Sequence, residues 1–191
     1  ETFADQLAVA MQNARLLKET KEALERQAAT SDVLNAMSTS AFDLQPVFQT
    51  IVDRAARLCN AESAMILRPE GGQLFTVADA GRSRAASGTD AERRRAIDRT
   101  SGYGRAFLDR TLSHIPDAAA DPAAFRGSPA TRLGVPILRG DEVIGVIALA
   151  RDPASPFSQV ELDLVQTFSE QAGIAIENVR LFTELQEKNR A

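Results

Sequence analysis

Residues 156–182 read PFSQVELDLVQTFSEQAGIAIENVRLF, and this segment decides the fold of the chain. We predict that it forms the long closing helix of a domain. Ser158 stands just before the helix and is a residue type that caps helix N-termini.

The second half of this segment recurs near the start of the chain. Residues 3–19 read FADQLAVAMQNARLLKE, and 165 positions later residues 168–184 read FSEQAGIAIENVRLFTE. The identical pairs are Phe3 and Phe168, Gln6 and Gln171, Ala10 and Ala175, Asn13 and Asn178, Arg15 and Arg180, Leu16 and Leu181, and Glu19 and Glu184. The repeat indicates tandem domains, in which residues 3–19 close a preceding domain and residues 168–184 close the next.

The stretch from Phe3 to about Met37 contains neither Gly nor Pro and is predicted to be one helix. At 1.5 Å per residue it is about 50 Å long, more than its own small domain covers. It carries a weak heptad seam of Leu7, Ala10, Ala14, Leu17, Lys21, Leu24 and Ala28. We therefore expect a parallel homodimer through this helix; an amphipathic helix packed on its own domain is the alternative.

The body of the chain alternates helices and hairpins. An amphipathic helix is predicted over 44–60, and short strands are predicted at 64–67 and 74–78 around a Gly-containing turn. A polar segment, a short helix over 102–108 and a strand at 112–115 follow. A second hairpin, 133–138 with 143–150, precedes the closing helix. This order predicts an α+β domain with an antiparallel sheet.

Four segments resemble the GAF domain, a small-molecule-binding module of signalling proteins. They are RAARLCNAESAMILRPEGGQL (54–74), GYGRAFLDRTLSHIPD (102–117), LGVPILRGDEVIGVIALAR (133–151) and PFSQVELDLVQTFSEQAGIAIENVRLF (156–182). The resemblance is to tandem GAF domains of bacterial sensor histidine kinases and nucleotide cyclases. It implies a PAS-related central antiparallel sheet of about six strands, flanked by helices and by long coiled-coil-type terminal helices.

By this resemblance, residues 1–38 are a linker helix that starts as the tail of a preceding GAF repeat. Residues 39–184 are the GAF domain, and residues 185–191 begin the next linker helix. The family pocket lies on the sheet face opposite the terminal helices. Carried over to this chain, its walls are expected to include Met65, Leu67, Phe75, Val77, Tyr103, Phe107, His114 and Phe125, with Arg126 or Arg132 to meet an anionic group.

Catalytic and metal chemistry find little support in the sequence. His114 is the only histidine, so Ser-His-Asp triads, Cys-His pairs and multi-histidine metal sites are excluded. Cys59, the only cysteine, is expected to be a small buried hydrophobe, with redox sensing as the alternative. We predict neither an enzyme in this fragment nor a bound cofactor.

Two family ligands are also poorly supported. Bilin-binding GAF domains attach the chromophore through a Cys near the segment occupied here by Ser113 and His114, so no covalent bilin is predicted. The cyclic-nucleotide signature Asn-Lys…Phe-x3-Asp-Glu is matched only by Phe157, with Glu161 in place of Asp. The ligand class therefore stays open.

Composition and charge restrict the classes of partner that we expect for the chain. The chain has 191 residues, 44% of them hydrophobic, and a net charge of −4. Neither a nucleic-acid partner nor a membrane segment is expected, and we expect a cytoplasmic protein. Residues 82–105 contain seven Arg and three acidic residues, which suits a phosphate or carboxylate ligand or, alternatively, an ordinary solvated loop.

Two functions compete. The first is a sensory module that binds a small molecule non-covalently. It would relay its state through homodimeric N- and C-terminal helices to an output kinase or cyclase in the same chain. The second is a ligand-free GAF domain that serves only dimerisation and relay. An open cavity would favour the first, and a filled interior the second.

Overall fold

The structure, a computed structural model, describes residues 44–83, 89–126 and 129–190. The predicted linker segment 1–38 lies outside the described residues. So do the predicted dimer-seam positions Leu7, Ala10, Ala14, Leu17, Lys21, Leu24 and Ala28.

The described elements follow the predicted order of helices and hairpins. They are α1 (Gln45–Leu58), β1 (Ser63–Glu70), β2 (Gln73–Gly81), α2 (Asp90–Arg93), β3 (Arg94–Arg95), α3 (Gly102–Asp109), β4 (Ser113–Ile115), β5 (Thr131–Arg139), β6 (Glu142–Arg151) and α4 (Gln159–Arg190). One difference is that residues 94–95 form a short edge strand on β2, where the sequence predicted only a polar segment.

The strands form one six-stranded sheet in the order β3-β2-β1-β6-β5-β4. Every neighbouring pair is antiparallel, which confirms the predicted α+β class and strand number. The β1–β2 loop consists of Gly71 and Gly72, with φ of 58° and 77°. Positive φ at both loop residues gives a turn whose twist matches that of the strands, and glycine adopts it without strain.

Helices α1 and α4 cover one face of the sheet. The core between them contains Val47, Phe48, Ile51 and Val52 from α1, Leu164, Val165, Phe168 and Ala172 from α4, and Ile66, Val135 and Ile147 from the sheet. All are at most 9% exposed, so this face is closed. Among the described residues, none of the helices has the length and apolar character needed to cross a membrane.

Helix α3 lies on the opposite face and approaches β5 closely. A Cβ on Gly134 of β5 would lie 2.3 Å from the carbonyl oxygen of Gly102, so only glycine fits there. Val143 and Val146 of β6 pack beneath Ala106 of α3. This short helix covers part of the face and leaves the rest open.

Candidate ligand-binding site

The uncovered part of that face forms a cavity of about 530 Å³. Its walls come from β1, the segment after β2, β3, the beginning of α3, the loop before β5, and strands β5 and β6. The lining residues are Ser63, Met65, Arg82, Ser83, Arg95, Thr100, Ser101, Gly102, Tyr103, Phe125, Pro129, Arg132, Leu133, Ala148, Leu149 and Ala150. The volume is within the range of small-molecule sites in proteins.

Small and flexible apolar side chains form the floor of the cavity. Met65 of β1 is paired with Ala148 of β6, and directly paired residues point to the same face of a sheet. Ala148 and Ala150, two positions apart on β6, both line the cavity. Because their side chains are single methyl groups, the strand leaves space that larger residues would fill.

The beginning of α3 forms one wall. Ser101 caps the helix by accepting a hydrogen bond from the N–H of Gly104 (3.0 Å), and the first turn contains no acidic residue. Ser101, Gly102 and Tyr103 line the cavity. The positive end of the helix dipole therefore lies at the wall of the cavity.

Arg132 of β5 joins three parts of the cavity rim. Its guanidinium donates hydrogen bonds to the carbonyl oxygens of Pro129 (2.9 Å), Thr100 (3.1 Å) and Phe125 (2.5 Å). The residue is 8% exposed, and burial lowers the pKa of its guanidinium below the ordinary value. Arg132 thus holds the rim in place and adds a positive charge to the wall.

Two further arginines line the opposite side. The guanidinium of Arg82 contacts the Glu62 carboxylate and lies 3.7 Å from that of Asp152. Arg95 donates to the backbone carbonyl oxygens of Glu92 and, at 3.0 Å, Arg94. No lining residue in the described part of the chain is acidic, so the charged side chains at the wall are all cationic.

A salt bridge fixes the loop between β4 and β5. Arg105 of α3 binds Asp121 at 2.5 Å, and this hydrogen bond is the main reason that the pKa of Asp121 falls to about 2. The N–H of Phe125 donates to the carbonyl of Thr100 at 2.8 Å. The Phe125 side chain, 65% exposed, lies at the edge of the cavity.

Four of the ten predicted site residues line this cavity: Met65, Tyr103, Phe125 and Arg132. Leu67 and Phe107 lie on the same face, but they pack with each other and with Tyr103 in the layer between α3 and the sheet. Arg126 is exposed and is not part of the wall. The structure therefore brings together fewer than half of the residues that the family pattern suggested.

Phe75 and Val77 of β2 are also outside the cavity. The pairing of β1 with β2 shifts between Ile66 and Leu67, so that Ile66 pairs with Ala78 and Leu67 with Thr76. Val77 is the extra residue at this bulge and packs against the helix-side core. The ring of Phe75 lies 5.5 Å from the Arg94 guanidinium in a cation–π contact at the sheet edge.

His114 lies on the helix side of the sheet and does not line the cavity. It is paired with Leu133, which points into the helix-side core. Its Nε2 accepts a hydrogen bond from the N–H of Phe157 (3.3 Å), and the two rings meet edge to face at 5.8 Å. Burial, and then the charge of Arg151, lower the pKa of His114 below its ordinary value.

The junction around Arg151 lies at the end of β6, away from the cavity. Arg151 contacts the backbone carbonyl of Cys59 and the carboxylate of Glu161, and it stacks over the ring of Phe157 at 4.1 Å. The positions that match the cyclic-nucleotide signature therefore link α1, β6 and α4. Cys59 is fully buried there, and burial raises the pKa of its thiol to about 12, as expected for an unreactive cysteine.

Sequence reasoning missed most of the polar wall. Ser63, Arg82, Ser83, Arg95 and Thr100 were not predicted as lining residues, although all of them except Ser63 belong to the Arg-rich stretch 82–105. That local charge was the available signal. It did not show which arginines the short strand β3 and the turn after β2 bring to the cavity.

The chain is an α+β domain built on a six-stranded antiparallel sheet. Two helices cover one face of the sheet, and a cavity lies on the other. The chain belongs to the GAF family, because the family model of the GAF domain matches residues 43–176. No curated protein sequence is a significant match.

Solved structures support the fold. The chain is similar to the GAF domain of a phosphoenolpyruvate-protein phosphotransferase from Coxiella burnetii (15% identity, TM-score 0.68, 83% of this chain and 96% of that one). It is also similar to residues 122 to 287 of a methyl-accepting chemotaxis protein (22%, 0.63, 80% and 97%). A third is free methionine-R-sulfoxide reductase from Neisseria meningitidis in complex with its substrate (14%, 0.69, 84% and 93%). At these identities the likeness establishes the fold alone.

Proposed function

We propose that this GAF domain is a regulatory module that binds a small molecule in the cavity beside Arg132. The observation that carries the proposal is the cavity itself, about 530 Å³ on the sheet face opposite α1 and α4. Its apolar floor and polar wall match the usual composition of small-molecule sites. The bound state is relayed through the terminal helices to an output kinase or cyclase in the same cytoplasmic chain.

The connection between β6 and α4 supports a relay. Ala150 lines the cavity, and the next residue, Arg151, contacts the carboxylate of Glu161 in the first turn of α4. A ligand that binds two arrangements of this strand with different affinity shifts the balance between them. The start of α4 is then the first element outside the cavity to respond.

The outer face of α4 supports a homodimer. Val160, Ile174 and Leu181 are exposed at 55%, 56% and 44%, although all three are large apolar residues. They are 14 and 7 positions apart, so they lie along one stripe with the heptad spacing of a coiled coil. A second copy of α4, packed in parallel, is the partner we propose for this stripe.

The alternative is a ligand-free GAF domain that serves only dimerisation and relay. It needs the Val160–Leu181 stripe but no cavity. The space above Ala148 and Ala150 favours the sensory function over this alternative, because a purely structural domain gains stability from filling it.

An enzymatic function is less well supported. A thiol-based reaction needs an accessible cysteine of lowered pKa, whereas Cys59 is buried with a raised pKa. That this chain is not an enzyme therefore stays part of the proposal.

Thermal unfolding of the chain in a library of small metabolites tests the sensory function. A ligand at about 100 times its Kd stabilises the folded state by about 2.7 kcal/mol, a shift in Tm of several degrees. Ala148→Leu fills the floor of the cavity and is expected to abolish the shift. Ala119→Leu, which adds the same atoms at an exposed loop position, is expected to retain it. Absence of any stabilising compound would favour the ligand-free alternative.

A further inference from the structure

We propose that the ligand of this cavity is an organic anion, with a carboxylate or phosphate group attached to an apolar body. The inference rests on the proposed function, in which this cavity is the ligand site. It is carried by three arginines on the wall, by the orientation of α3 and by the apolar floor.

The charged side chains of the wall are all positive. Arg82, Arg95 and Arg132 reach the cavity from the segment after β2, from β3 and from β5, so three separate elements contribute a guanidinium. The carboxylates near Arg82, those of Glu62 and Asp152, are not among the lining residues. A concave wall of one charge sign raises the local concentration of the opposite ion.

Helix α3 adds to the same field. Its first turn lies at the wall through Gly102 and Tyr103 and has no acidic residue to offset the positive end of the dipole. The three arginines and the first turn of α3 therefore both favour a negatively charged ligand, and they are independent features of the chain.

The floor excludes a bare inorganic ion as the best ligand. Met65, Ala148 and Ala150 offer apolar surface that phosphate or sulfate alone cannot use, and Tyr103 and Phe125 flank it. Burying apolar surface contributes to affinity in proportion to the area removed from water. The matching ligand carries its charge at one end and a hydrocarbon or aromatic group at the other.

The test uses four probes of similar size on the full chain: phenylpropionate, phenyl phosphate, phenylpropionamide and phenylpropylamine. Saturation-transfer NMR and calorimetry give the Kd of each. The two anions are expected to bind at least about tenfold more tightly than the amide and the amine, because hydrogen bonds to charged groups are the stronger ones. Their affinity is expected to fall as salt rises, and the preferred anion separates a carboxylate site from a phosphate site.

Arg95→Gln is expected to weaken the anions about tenfold and to leave the amide unchanged. Arg93→Gln is the matched control, because it removes the same charge from a neighbouring residue that does not line the cavity. Equal binding of amide and anions, or equal losses in the two variants, would overturn the inference but leave a small-molecule site. If neither these probes nor the metabolite library bind, the proposed function fails as well.

Discussion

His114 accepts a hydrogen bond from the backbone N–H of Phe157, and only a neutral imidazole nitrogen has the lone pair for it. Protonation removes this acceptor and places a second positive charge near Arg151, which already helps to lower the pKa of His114. In the unfolded chain the group titrates near its ordinary value of 6.5. The structure therefore favours the neutral histidine.

The stability of the domain is expected to depend on pH through this residue. Because the folded pKa lies below the unfolded one, the contribution of His114 is complete above pH 6.5. It is lost as the pH falls through the folded value. Urea unfolding of the wild type and of His114→Gln between about pH 5 and 8 measures the effect, since the other titrating groups are common to both. Parallel pH profiles of the two proteins would contradict it.

Gly134 and Gly102 face each other, but we expect a Gly→Ala substitution to change the unfolding free energy very differently at the two positions. A Cβ on Gly134 would lie 2.3 Å from a carbonyl oxygen and force α3 away from β5, whereas a Cβ on Gly102 finds ordinary contacts at 3.4 Å. We expect Gly134→Ala to cost about 1–3 kcal/mol of unfolding free energy, as overpacking does. Gly102→Ala is expected to change it by less than about 0.5 kcal/mol. Urea unfolding that gives equal losses would show that α3 is free to shift.

The individual residues of the cavity also show how much of the site could be predicted from the sequence. Met65, Tyr103, Phe125 and Arg132 were expected from the resemblance to the family pocket, and they line the cavity. His114 and Val77 were expected there but face the helices. The side to which a strand residue points depends on pairing and bulges, and Leu133 and the shift after Ile66 decide it here.

At the scale of the elements, α4 begins with a pair of reciprocal hydrogen bonds. The N–H of Glu161 donates to the hydroxyl of Ser158 at 3.4 Å, and the N–H of Ser158 donates to the Glu161 carboxylate at 2.7 Å. This reciprocal capping box confirms the predicted N-cap. The same carboxylate binds Arg151, whose side chain is 10% exposed, so Glu161 joins the helix to the sheet.

Glu161→Gln is expected to destabilise the domain by about 2–3 kcal/mol, because it leaves a largely buried arginine without its carboxylate. Glu170→Gln on the exposed side of the same helix is the matched control and is expected to cost less than about 0.5 kcal/mol. Urea unfolding followed by circular dichroism measures both. Similar values for the two variants would mean that the pair with Arg151 contributes little.

The elements themselves were largely predictable, since their signals are short-range. Gly71 and Gly72 set the first hairpin, and Pro46 starts α1 close to the predicted boundary. The edge strand β3 was not predicted. Two residues, Arg94 and Arg95, carry no strand pattern of their own, and their pairing with Leu74 and Phe75 is a tertiary contact.

At the scale of the whole molecule, the dimer seam predicted in the first helix can be compared with α4 through the sequence repeat of residues 3–19 and 168–184. It pairs Leu7 and Ala10 with Ala172 and Ala175, and in α4 these two alanines are buried against the domain's own sheet. The outward positions of α4 are Ile174 and Leu181 instead. Heptad spacing alone does not distinguish a seam for a second copy from the face that packs on the domain.

Ile174→Glu is therefore expected to weaken dimerisation of the chain at least about tenfold, because it places like charges opposite each other in the proposed parallel pair. Gln166→Glu adds the same charge at an exposed position farther around the helix and is expected to have a small effect. Sedimentation equilibrium measures both. A wild-type chain that stays monomeric at high micromolar concentration would refute the homodimer.

Helix α4 also has a mechanical consequence. It continues from Gln159 to Arg190 as a single helix of 32 residues, about 48 Å long, while Arg151 and the core hold only its first half. The second half of α4 is therefore a lever arm, and its pivot lies where the contacts with the core end. By simple geometry, a tilt of about 5° where the second half begins moves the far end, about 24 Å away, by about 2 Å.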